Sequence, residues 1–298
     1  MEDIVVQPPQ NATWQVHLDR TMWVGGVRGL MLQALHPLAM LGVWQNSGFQ
    51  DDPFGRLRRT ADFVGRVTFG SPEEADEIGR RVRGIHRALR IHDPATGRTH
   101  RVDDPELLLW VHCAEVSSYL EVARRGGLGL TERQADRYLR EQRKSATYVG
   151  LHPEDVPGSC AEMDAYFKQV RPSLRVTPEA AETVRFLLWP RLPRESRLLS
   201  AGKPAYFPFG ALCYYTLPGW ARRMYRTLPE VPEAAVTAAL RAFRLGLNAL
   251  PEPVHDRAFD PATRRMLRHS RERLRAAGYD VRKGLKGLTD PRRWPPAA

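Results

Sequence analysis

Three times along this chain a small side-chain acceptor, a proline and one or two carboxylates follow one another: Ser71-Pro72-Glu73-Glu74, Asp104-Pro105-Glu106 and Thr177-Pro178-Glu179. Each run is a helix start. The acceptor takes an orphan backbone N–H, proline occupies the first helical position, and the carboxylates complement the positive helix end. Thr131 with Gln134 and Ser159 with Glu162 have capping-box spacing. The helix opened at Ser71 is expected to run to about Ile91, the one at Asp104 to about Arg125 before Gly126-Gly127, and the one at Thr177 to Pro190. Two more are expected over 232–250 and 261–277, where Leu240, Phe243, Leu247 and Leu250 stand at steps of three and four. Only the stretch 205–217 is ambiguous, and no alternating apolar run bounded by turns occurs elsewhere. The expected fold class is all-α: one helical bundle over residues 1–298, with 190–208 and its four prolines as a surface excursion.

The apolar stretch Val24 to Trp44 has the length of a membrane span, about 20 residues. It carries Arg28, Gln33 and the helix-interrupting pair His36-Pro37. Two buried helical pieces, and no integral membrane segment, are the expectation. The N-terminus shows no basic region ahead of an apolar core, so no secretory leader is expected. The three cysteines, Cys113, Cys160 and Cys213, are far apart and form no CxxC, which fits a reducing cytoplasm and removes covalent c-type heme attachment. Lys and Arg outnumber Asp and Glu by 45 to 34. The arginines are spread along the helices beside carboxylates, without an aromatic-studded basic motif, so the chain reads as a solvated basic surface and no nucleic-acid partner is expected. Peripheral binding to an anionic membrane is a further reading, with the basic stretch 281–293 as its candidate contact.

On the helix that Asp52-Pro53 should open, Arg56, Arg59, Thr60, Phe63 and Val67 fall at steps of three and four. Guanidinium groups therefore point where aromatic groups point. A buried guanidinium needs an anion, from a carboxylate, a heme propionate or a substrate; the alternative is a rim position paired with Asp51, Asp52 or Asp62 in water. His86 lies in the apolar series Ile78, Val82, Ile85, His86 and Leu89, where it is either an axial ligand for heme iron or a hydrogen-bonded core residue. His112 sits similarly among Leu108, Leu109, Val116 and Tyr119, and His36 lies at the break before Pro37. No HExxH, GxSxG, Walker A or GxGxxG motif occurs, which removes the common zinc-protease, hydrolase, nucleotide and dinucleotide readings.

The run Gly29-Leu30-Met31-Leu32-Gln33-Ala34-Leu35-His36-Pro37, then Asp52-Pro53-x-Gly55-Arg56-Leu57-x-Arg59-Thr60, then Arg83-x-x-His86, then Asp104 through His112, resembles the mpaB oxygenase and rubber-oxygenase catalytic domain family. The likeness covers about residues 14–250, leaving a C-terminal helix and a basic tail over 251–298. It implies a globin-like core holding heme b, with the proximal histidine at His86. It implies Arg56, Arg59 and Thr60 beside the heme, Arg56 on a propionate, and Arg59 with Thr60 donating to bound oxygen. In the latex-clearing branch the position of Arg59 is lysine, which can ligate iron; arginine stays charged and is a poor ligand. His112 and His36 are implied to stand at or near the cofactor, His112 in a supporting role. The implied activity is oxidation of a small hydrophobic, isoprenoid-like molecule by dioxygen or peroxide, with an electron donor the sequence does not name. A heme- or ligand-binding protein without turnover is the other reading.

Overall fold

The computed structural model describes residues 11–49, 53–190, 203–256 and 261–276. Helices α1 (Ala12–Leu18), α2 (Met22–Gln33) and α3 (Pro37–Asn46) open the chain. Next come α4 (Pro53–Phe69) and α5 (Pro72–Ala88), a short hairpin of β1 (Arg90–His92) and β2 (Thr99–Arg101), and then α6 (Pro105–Arg125), α7 (Glu132–Thr147), α8 (Cys160–Val170) and α9 (Pro178–Leu188). Beyond residue 202 follow α10 (Lys203–Tyr215), α11 (Gly219–Tyr225), α12 (Glu233–Ala249), α13 (Glu252–Asp256) and α14 (Pro261–Ala276). The architecture is all-α.

The caps act as their chemistry requires. Ser71 with Glu74 and Thr131 with Gln134 make complete reciprocal boxes, and the Asp104 and Thr177 side chains accept from the N–H groups of Glu106 and Ala180. Ser159 accepts from Glu162 N, but the Glu162 carboxylate bonds Gly158 N at 2.7 Å, so this box is half built. His36, with φ −86° and ψ 115°, is extended as its proline demands and separates α2 from α3. The apolar stretch is thus two helices. Among the described residues no helix is long and apolar enough to cross a membrane.

Two expected boundaries shift. The helix from Ser71 stops at Ala88, and Ile91 lies in β1, paired with His100 across the hairpin. A turn from Asp93 to Arg98 causes this: the Asp93 carboxylate holds Ala95 N and the Thr96 hydroxyl, Gly97 takes φ +68°, and Ile91 goes into the core against Gly42. The ambiguous stretch 205–217 is helical as far as Tyr215, with Pro208 in its second turn. Most of 190–208, the pair Asp51-Asp52 and the tail 277–298 lie outside the described residues.

The central contact is α2 on α6. Gly25 and Gly29, one turn apart on α2, meet Tyr119, Ser118, Glu115 and Ala114 of α6, and a Cβ on Gly25 would stand 3.1 Å from Tyr119 Cα and 3.2 Å from Ser118 O. Around this contact Val24, Val27, Met31, Trp110, Val184, Tyr214 and Leu240 form the main core. Polar bonds lock the register. The Trp110 indole donates to Gln33 O, and the Gln33 amide donates to Val111 O, both at 3.0 Å. Arg28, 5% exposed, donates to Thr216 O and to the Ser118 hydroxyl; burial pulls its pKa down to about 10. On the other side of α6, α1 lies against α7 and α4, with Asp19 at its C-terminus paired to Arg244 of α12 at 2.7 Å.

Gly25→Val is expected to cost about 3 kcal/mol through overpacking against the α6 backbone. Gly84, with no atom near its missing Cβ, should accept alanine with a gain of about 0.5 kcal/mol of helix propensity. Urea denaturation of the two variants checks both signs.

Candidate functional site

Two cavities abut beside the α2–α6 contact. The larger, about 290 Å³, is walled mainly by apolar side chains, among them Trp23, Leu30, Met40, Phe49, Val64 and Phe186, with Arg56 and Thr60 of α4. The smaller, about 70 Å³, is lined by Phe63, Val67 and Leu108 and by the polar groups of Thr68, His86, His112, Gln142 and Ser145. Five residues face both: His17, Val64, Val111, Glu115 and Tyr119. They are the partition.

The proposed site residues divide over this arrangement. Arg56 lies in the wall of the larger cavity, where burial first, and then the charge of Arg59, lowers its pKa. Its guanidinium makes no ion pair or hydrogen bond with any described residue. Asp62, one conceivable partner, is engaged by Arg66 at 3.1 Å. Thr60 lines the same cavity and donates its hydroxyl to Arg56 O at 3.2 Å, the usual back-bond of a helical threonine. Arg59 is exposed and lines neither cavity. Its place three residues after Arg56 puts it about 60° off the Arg56 direction, on the flank of the stripe, where a long cationic side chain reaches water.

His86 is half-buried at the smaller cavity, and its Nδ1 is fully enclosed without a partner among the described residues. Burial lowers its pKa; Asp103 opposes this, and the charge of Arg56 reinforces it across the partition. Ile85, expected on the same apolar face, is 48% exposed, so the inward stripe of α5 is Ile78, Val82 and His86. His112 is buried in the same cavity wall, its Nε2 also lacks a partner, and burial pulls its pKa down to about 4. His36 is not brought to the site. Its Nδ1 caps α3 by accepting from Ala39 N at 3.4 Å, its ring lies 6.1 Å from that of Trp110, and it lines neither cavity. The local reason is the proline that made it conspicuous, since an extended residue before a helix is an N-cap.

Sequence reasoning overlooked the partition itself. His17 binds Thr68 Oγ1 at 2.8 Å through Nδ1 and the Tyr138 hydroxyl at 3.1 Å through Nε2, and packs edge-on to Tyr119. Burial drives its pKa down to about 3, so the ring is neutral. Tyr119 donates to Glu115 Oε1 at 2.9 Å, and burial raises the Glu115 carboxyl above its ordinary range. A signal existed: His112, Glu115 and Tyr119 stand at steps of three and four on one face of α6, and a carboxylate inside an apolar stripe asks for an explanation. His255 of α13 and Met266, Leu267 and Arg271 of α14 close another side of the larger cavity, with Arg271 on Asp256 at 2.8 and 2.9 Å.

The sequence matches the family described as ER-bound oxygenase mpaB/B'/Rubber oxygenase, catalytic domain, over residues 14–249. The chain belongs to this family. It is accordingly an enzyme of the oxygenase type. A sequence comparison with curated proteins gave no significant match. Among solved structures the chain is similar to one titled "Structure of Latex Clearing Protein LCP in the closed state", with a TM-score of 0.56 and 20% identity, covering 88% of this chain and 73% of that one. At that identity the likeness concerns the fold. The matched region ends at α12, yet α13 and α14 supply wall residues to the larger cavity, so this oxygenase-family chain builds its site with residues beyond the matched domain.

Neutral His17 and His112 make the fold acid-sensitive. Unfolded, each takes a proton below about pH 6.5; folded, each resists protonation until about 3 and about 4. Protons therefore favour the unfolded chain in this window, and stability falls as pH drops below 6.5, by about 1.4 kcal/mol per pH unit for each group. Thermal melts from pH 7 to 5 should show this loss, and His17→Gln, though less stable at pH 7, should show a shallower dependence.

Proposed function

We propose that this enzyme is a heme b-dependent oxygenase acting with dioxygen on a small apolar, isoprenoid-like molecule, with His86 as the axial ligand of the iron. The observation that carries the reading is a pair of groups on abutting cavities that the described residues leave unfinished: an enclosed imidazole nitrogen without a partner among them, and a half-buried guanidinium without an anion among them. Each costs stability as it stands. A macrocycle that takes one axial nitrogen and offers carboxylates suits both. Among the described residues no group of three or more His, Cys, Asp or Glu is placed to hold a metal ion, so most ligands to an iron would come from a porphyrin and one from the protein.

In this reading His86 would hold the iron and Arg56 would pair with a propionate. Arg59, exposed beside it, adds positive potential to that anion site. Thr60 offers its hydroxyl to the cavity, and His112 supports the pocket from the neighbouring wall. The heme supplies the activation of dioxygen when bound. Trp23, Leu30, Met40, Phe49 and Phe186 give the larger cavity a lining that favours hydrocarbon over water, which orients an apolar substrate and limits competing hydrolysis. Family membership supports oxygen chemistry, and the apolar wall supports the substrate class.

The freshly purified protein is expected to show a Soret band that shifts with carbon monoxide and a pyridine hemochrome spectrum of heme b. His86→Ala should lose both while keeping its helical circular dichroism. Arg56→Met should bind added hemin about tenfold less tightly, the equivalent of one charge-assisted hydrogen bond near 1.5 kcal/mol. Unchanged heme content and an unchanged Soret band in His86→Ala would remove His86 from the role. A colourless protein that takes up no hemin would overturn the cofactor assignment.

A further inference from the structure

Glu115 sits where the two cavities meet, and its surroundings are unusual for a carboxylate. Its one hydrogen bond to a described residue is the one it accepts at Oε1 from the Tyr119 hydroxyl, 2.9 Å away. It forms no ion pair with a described residue, and no described group bonds its second oxygen. The titratable groups of the elements packed around it supply no counter-charge. From α1, His17 is neutral and engaged with Thr68 and Tyr138. From α2, Arg28 donates to Thr216 O and Ser118 Oγ. From α4 and α5, Arg56 and His86 line the larger and the smaller cavity respectively. From α7 come the neutral Tyr138 and the carboxylate of Glu141, which holds Thr13 N at 2.9 Å and is paired with Arg137 at 2.8 Å. On α6 itself, His112 is neutral. Burial outweighs the Tyr119 hydroxyl and favours the protonated carboxyl.

We propose that Glu115 is the proton donor of this site, a carboxyl group held at the partition by Tyr119 and open to the reacting molecule in the adjoining cavity. The proposal rests on the oxygenase reading and assigns an acid that the reading leaves unnamed. In the step, the carboxyl O–H bond breaks and a new O–H bond forms on an oxygen of the reacting molecule that has gained negative charge. That O–H bond breaks again as the product forms, and its proton returns to the Glu115 carboxylate, so the cycle consumes no net proton and returns Glu115 to its starting state. Tyr119 is a positioning residue. It stays protonated, because burial and Glu115 push its pKa well above the ordinary phenol range, and it aims the carboxyl without exchanging its own proton. Its ring is fixed in turn by the edge contact with His17, 5.3 Å between centroids.

Infrared difference spectroscopy of the full-length protein against Glu115→Gln at pH 7 tests the protonation state without heme or substrate. A protonated-carboxyl C=O band that shifts in heavy water and is missing from the variant is expected; its absence from the wild type overturns the proposal, whatever hemin does. With hemin loaded, Glu115→Gln should keep the wild-type Soret band. Its oxygen uptake with squalene as the trial hydrocarbon should fall about a hundredfold and lose the alkaline decline of the wild-type pH profile. Uptake equal to wild type with the same profile overturns the proposal. A failure of both proteins to bind hemin counts against the cofactor reading alone, because the infrared band is read separately. Tyr119→Phe gives a second measure should the glutamine variant not fold: losing the bond that favours the carboxylate, it should move the infrared titration of Glu115 to higher pH. An unmoved titration overturns the assignment.

Discussion

Two helices can approach backbone to backbone only where one has no side chain in the way, and in this protein that place is Gly25 and Gly29 of α2 against residues 114–119 of α6. The approach decides what α6 can present on its other turns. Ser118 and Ala114 are turned to α2, while Val111, His112, Glu115 and Tyr119 line the cavities that α6 shares with α1, α2, α4, α5 and α7. A wider spacing would admit other side chains into the seam, and the partition between the cavities would lose its fixed distance from α4. The reciprocal Trp110–Gln33 and Gln33–Val111 bonds set the register of the same pair, so the position of His112 along the cavity follows from them.

Around this frame the site is built from groups kept electrically quiet by burial. His17 and His112 are neutral, Tyr119 and Tyr138 keep their protons, and the Glu115 carboxyl is pushed toward its acid form. Arg56 is the contrast, a cation facing the larger cavity that lacks an anion among the described residues. A low-dielectric pocket in which Arg56 faces a neutral, hydrogen-bonded wall strengthens any interaction made with that guanidinium. Several other arginines meet carboxylates at the surface, as in Arg66–Asp62 and Arg143–Glu162, and such exposed pairs contribute little to stability.

The C-terminal helices alter the picture of a domain with an appended tail. Met266 and Leu267 of α14 pack with Trp14, Leu18 and Phe69, and the Arg271–Asp256 pair fastens α14 to α13 beside the larger cavity. Residues past the family match are therefore part of the wall.

Read alone, the amino-acid order determined the helices and their starts, because a cap, a first-turn proline and an amphipathic stripe act within one or two turns of backbone. It also marked Arg56, Thr60, His86 and His112 as side chains at odds with the apolar faces that carry them. It missed the Arg90–Arg101 hairpin, since three-residue strands are too short to show alternation, and it could not show that His36 caps α3 or that Arg59 lies exposed outside both cavity linings. Only the tertiary structure decided that His86 and Arg56 stand on two abutting cavities, that His17, Glu115 and Tyr119 divide them, and that α13 and α14 complete the wall. Those facts depend on bringing together residues up to some 250 positions apart, such as His17 and Arg271, which line one cavity, and no local pattern encodes a distance between segments that meet only after the chain has packed.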